Sequence, residues 1–116
     1  GLTEGFYVAS GWSDLIARMD DPKVAAWVAE YQKEFGDFPS TGALLGRSAA
    51  EMLVKALEAA GRDLNPQSFQ KAVESLDYYD HISGNQMTFG PNDHIGSNDL
   101  IISQIIEGNW KELVRK

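Results

Sequence analysis

The sequence predicts an α/β chain that runs strand, three helices and then a short antiparallel β unit. Three observations carry this expectation. The first is a short aromatic and β-branched run, Gly5 to Ser10 (GFYVAS), bounded by small residues. Next come three helical periodicities, two of which begin with Asp or Asn directly ahead of a proline. Beyond Asp77 the texture changes to short apolar runs separated by clusters of turn residues.

Taken in order, Phe6 to Ala9 suits a strand, and Gly11 to Asp20 an irregular connection, since it carries no helical period beyond Leu15, Ile16 and Met19 and holds Gly, Ser and Asp. Trp12 is its most conspicuous member. Asp20 or Asp21 ahead of Pro22 starts a helix, along which Val24, Val28, Tyr31 and Phe35 share one face until Gly36. Ser40 or Thr41 caps a second helix with an apolar stripe of Leu45, Ala49, Met52, Leu53, Ala56, Leu57 and Ala60, ending at Gly61. Asn65-Pro66 starts a third, shorter helix carrying Phe69, Ala72, Val73 and Leu76. Met87 to Phe89, Asp99 to Ile106 and Trp110 to Val114 are the expected later strands, separated by Gly90-Pro91-Asn92-Asp93 and Glu107-Gly108-Asn109. The first strand has no parallel neighbour within the chain, so its partners are expected elsewhere.

At 116 residues the chain is the size of one small domain, and its composition, 43% hydrophobic and 23% charged, is that of a globular protein. A formal net charge of -7 repels phosphate backbones and anionic headgroups, which argues against nucleic acid as a partner. The longest apolar run, Leu100 to Ile106, falls far short of the ~20 residues that span a bilayer. The absence of cysteine removes disulfides and thiolate chemistry and leaves the redox compartment open.

No constellation points to an enzyme. The acidic pairs Asp20-Asp21, Asp77 with Asp80, and Asp93 with Asp99 sit at expected helix starts and turns, where capping accounts for them. His81 and His94 lie in unlike loops without a helical i, i+4 partner, which favours solvent-facing turn histidines over metal ligands. Neither G-x-S-x-G nor a Gly-rich phosphate loop occurs. No catalytic residue, metal ligand or cofactor is therefore expected. Polar and aromatic residues at element ends remain, namely Ser10, Trp12, Ser13, Thr41 and Arg47. They suit a small-molecule site, where apolar walls give affinity and a few polar groups give orientation. Surface packing for Trp12, a cap for Thr41 and solvation for Arg47 are the alternative.

GFYVAS, DDPKVAAWVAEYQKEFGDFPS, ALLGRSAAEMLVKALEAAG and ISGNQMTFGPNDHIGSNDLIISQIIEGNWKEL together resemble the last third of a periplasmic-binding-protein type I sequence. The nearest group is the branched-chain amino acid ABC transporter substrate-binding proteins. The tail is the most specific part, with Gly84, Phe89, Pro91, Asn92, Asp93, His94 and Gly96 followed by Glu107-Gly108-Asn109-Trp110. The resemblance implies a C-terminal fragment of a two-lobed, extracytoplasmic protein that holds a solute in its interlobe cleft and signals closure to an ABC permease. A ligand-sensing domain of a regulator with the same fold is the alternative.

On that pattern residues 1-10 form a second-lobe strand, 11-83 a hinge crossing and first-lobe helices, and 84-116 a further crossing and the terminal strands. The loop Ser10, Trp12, Ser13 and Asp14 would lie at the cleft rim, and Thr41, Gly42, Ala43 and Leu44 would approach the ligand. Gly42 stands where the family often has a bulky residue, and Arg47-Ser48 where Tyr-Asp is frequent, which makes Arg47 a candidate for specificity. The implied solute is an amino acid or small carboxylate. The remainder of the parent chain is an expected partner, as is a second, strand-swapped copy for the isolated piece.

Overall fold

The computed structural model describes residues 1–116. Strand β1 (Tyr7–Ser10) is followed by one 3-10 turn (Ile16–Arg18) and helices α1 (Pro22–Phe35), α2 (Thr41–Ala60) and α3 (Pro66–Glu74). Strands β2 (Asp77–Asp80), β3 (Asn85–Thr88), β4 (Ile101–Ile106) and β5 (Asn109–Arg115) complete the chain.

The helix boundaries follow from local chemistry. Asp21 accepts the Lys23 amide hydrogen ahead of Pro22, and Gly36, with φ of 82°, closes α1 in the left-handed region. Ser40 Oγ accepts from the Ala43 amide to open α2. Asn65 and Ser68 form a reciprocal capping box at the start of α3.

The strands form two separate antiparallel units, a three-stranded sheet in the order β1-β4-β5 and a β2-β3 hairpin. The strands depart from expectation at four points. β1 finds a partner inside the chain, pairing antiparallel with β4 from Tyr7 opposite Gln104 to Ser10 opposite Ile101. Its other edge and the outer edge of β5 stay unpaired. Asp77–Asp80 is a strand that the turn-like composition concealed, and it shifts the start of its hairpin partner to Asn85. β4 begins at Ile101 rather than Asp99.

Leu15, Val24, Val28, Leu44 and Ile82 form the principal core cluster, against which Trp12 and Trp27 pack. The α1 stripe is buried at Val24 and Val28, but Phe35 at its end is 64% exposed. Along α2 the predicted stripe stays largely in solvent at Leu45, Leu53 and Leu57, while Leu44 and Ala56 carry the burial. Only 16 of 116 residues are buried, and the molecule measures 54 × 34 × 20 Å. Its radius of gyration is 16.3 Å, against about 13 Å expected of a compact chain of this length. Helices and sheet thus form an elongated platform with apolar faces left open. No helix is long and apolar enough to cross a membrane.

Candidate functional site

A hollow of about 160 Å³ lies where the sheet meets the helical part. It is lined by Ser10 at the end of β1, Trp12 and Asp14 in the following loop, Thr41 in the first turn of α2, Ser103 of β4 and Trp110 of β5. A smaller adjoining recess of about 50 Å³ shares Trp12, Asp14 and Thr41 and adds Leu44. Ligand pockets usually measure ~300–1,000 Å³. The hollow is therefore the size of one wall of a pocket.

Ser10 Oγ donates to the Trp12 carbonyl at 2.7 Å, which folds the loop back on the strand. Asp14 Oδ1 accepts from the Ile16 amide at 2.8 Å. Trp12 is half-buried because one side of its indole rests on the core. The hollow thus offers two indoles, three hydroxyls and one carboxylate. Such a surface binds by apolar contact and hydrogen bonding.

The other predicted residues are distributed differently. Ser13 is buried and faces a separate open depression; its amide donates to the Ser83 carbonyl at 3.0 Å and its carbonyl accepts from Arg18. Gly42 is exposed, with ordinary contact distance to Ser40 Oγ for any Cβ placed there. The Ala43 amide is occupied by the Ser40 cap. Leu44 belongs to the core as well as to the recess. Arg47 is not brought to the hollow; it pairs with Glu51 at 3.2 Å beside a depression shared with Tyr79 and His81. Sequence reasoning missed Val8, Ser103 and Trp110 as lining residues. For Trp110 a signal existed, an aromatic residue directly after the Glu107-Gly108-Asn109 turn.

Beside the hollow the loop after β1 is tied to the β2-β3 hairpin by polar contacts. Arg18 donates to the carbonyls of His81, of Ser13 (2.9 Å) and of Ile82 (2.6 Å). Burial lowers its guanidinium from the ordinary value, opposed by nearby Tyr79, Asp80 and Asp21. Asn85 donates to the Gly11 carbonyl and accepts from Arg115, which also pairs with Asp99 at 2.8 Å. His81 Nδ1 lies 2.6 Å from Asp21 Oδ2, and that hydrogen bond, with the Lys23 amide, holds the Asp21 carboxyl below its usual range. His94 approaches Glu74 at 3.3 Å, and no three His, Cys, Asp or Glu side chains gather into a cluster that would hold a metal.

Known proteins share this architecture. A fatty acid ABC transporter substrate-binding protein from Thermomonospora curvata superposes with a TM-score of 0.75 at 25% identity, over 96% of this chain and 30% of its own. A solute-binding protein of an ABC transporter from Rhodopseudomonas palustris BisB5, in complex with 3,4-dihydroxy benzoic acid, gives 0.76 at 19% identity, over 98% and 31%. A putative branched-chain amino acid ABC transporter from Rhodospirillum rubrum gives 0.74 at 22% identity, over 96% and 31%. The chain thus spans about a third of the length of the solved structures it resembles. No curated protein matches it. Residues 1–109, nearly the whole chain, match the periplasmic binding protein family, and the chain belongs to that family.

Proposed function

We propose that this chain contributes one wall of the interlobe cleft in a solute-binding protein that delivers its ligand to an ABC permease on the extracytoplasmic side of a membrane. The observation that carries the reading is the hollow itself, where residues far apart in sequence, Ser10, Trp12, Asp14, Thr41, Ser103 and Trp110, converge. Family membership supports solute binding, and the hollow's small size fits a wall that a second lobe completes. On this reading β1 belongs to one lobe, the segment after Gly11 crosses the hinge, the helices pack on the other lobe, and the chain returns near Gly84. Solved relatives bind leucine, benzoate or a fatty acid in the words that describe them, so an amino acid or small carboxylate with an apolar body is the proposed solute class. The indoles of Trp12 and Trp110 would cover that apolar body.

The test is a thermal-shift screen of the full-length protein against amino acids, aromatic acids and fatty acids. A solute at 100 times its dissociation constant adds about 2.7 kcal/mol of stability. No shift with any of them would remove the solute-binding reading. Replacing Trp12 by Leu retains most of the packing on the core while withdrawing the indole from the hollow. Affinity is expected to fall about tenfold, by an amount typical of an aromatic contact, as read by calorimetry on a variant that remains folded.

A further inference from the structure

A dense polar construction lies outside the hollow, around Arg18. Its guanidinium joins two segments more than sixty residues apart, donating to the carbonyl of Ser13 in the loop after β1 and to those of His81 and Ile82 in the β2-β3 turn. We infer that Arg18 is a positioning residue that locks the loop after β1 onto the β2-β3 turn, and thereby sets how the cleft closes on its solute. This rests on the solute-binding reading above.

Four observations support it. The β2-β3 turn is shaped around the guanidinium: a Cβ on Gly84, whose φ is 74°, would lie 3.0 Å from Arg18 Cζ and Nε. Asp80, fully buried, accepts from the amides of Ile82 (2.8 Å) and Ser83 (3.3 Å), which fixes the turn that presents the two carbonyls. The same loop and hairpin are also joined by the Ser13 amide to the Ser83 carbonyl and by Asn85 to the Gly11 carbonyl. Finally, Ser13 lies between Trp12 and Asp14, which line the hollow, whereas Arg18 does not line it. A half-buried cation held by carbonyls is an expensive way to fill space, because its desolvation must be met by hydrogen bonds. Its planar fork can span carbonyls that a single ammonium cannot hold at once. Arg18 therefore acts on the solute through the loop and not by contact.

The experiment compares wild type, Arg18→Met and Arg18→Lys in the full-length protein. Dissociation constants are measured for leucine, valine, benzoate and hexanoate, with hydrogen exchange at the Ser13 amide as a second readout. Arg18→Met is expected to weaken every solute that the wild type binds by a common factor of about three to thirty, the range typical of residues that modulate coupling between sites. It should also speed exchange at Ser13, and Arg18→Lys should recover part of both losses. Unchanged affinity and exchange in a folded Arg18→Met protein would overturn the inference, as would a change in preference among solutes, which marks a contact residue. If Arg18→Met does not fold, Arg18→Lys carries the same comparison. If the wild type binds none of the four probes, solute binding by this class fails, while Ser13 exchange still decides whether the clamp exists.

Discussion

Asp80 illustrates how a single side chain can be legible in kind but not in weight. Its place in a turn accounts for its capping bonds, yet it is completely buried and its Oδ1 satisfies two amides of the β2-β3 turn. Asp80→Ala leaves those donors without an acceptor and is expected to cost about 1–3 kcal/mol, measured by urea unfolding; a loss within error would show that the turn holds itself. Two residues earlier, Tyr78 points to the same side of the strand. Burial, then the charges of Asp80 and Glu51, push its hydroxyl up to about 12. The folded protein thus keeps a proton that the unfolded chain releases near the ordinary tyrosine value of about 10. Stability contributed by this group is complete below that value and is lost as pH rises through the interval up to about 12. Comparing wild type with Tyr78→Phe at pH 9 and pH 11 should show a larger alkaline loss in the wild type. Equal losses would remove Tyr78 as the cause.

At the scale of elements, α3 depends most on its ends. It has nine residues and one buried side chain, Ala72, and a helix this short is marginal without capping or packing. Asn65 accepts from Gln67 and Ser68 while Ser68 Oγ returns to the Asn65 amide. Asn65→Ala should therefore cost about 1 kcal/mol in denaturant midpoint and raise amide exchange in the first turn of α3 alone. α2 presents the opposite case. Its cap and twenty-residue length secure a helix, but most of its predicted apolar stripe faces solvent, so periodicity identified the helix without identifying what covers it.

The whole molecule is extended, with apolar side chains open on both parts, including Leu53 and Val54 on α2, Phe6 just ahead of β1 and Tyr7 on it. Exposed apolar area of this extent marks surfaces that normally meet other protein. Expressed alone, the 116-residue chain should self-associate at micromolar concentration in sedimentation velocity and bind a hydrophobic dye, and the full-length protein should do neither. A monodisperse, dye-silent segment would show that these faces need no cover. The unpaired outer edge of β1 is the position from which an exchanged strand would pair in such an assembly.

Local sequence was enough to set the order and type of most elements, the two proline-marked helix starts and the glycine stops, because caps, prolines and periodicity act within a few residues of one another. It also carried the family, through a tail whose turn residues recur in fixed order. Long-range packing alone sets that Tyr7 meets Gln104, that Trp110 and Trp12 line the same hollow, and that Arg18 joins Ser13 to Ile82. These contacts link positions tens of residues apart. No local preference of an arginine or a tryptophan specifies which distant backbone it will meet; that follows from how the connections cross once sheet and helices have packed.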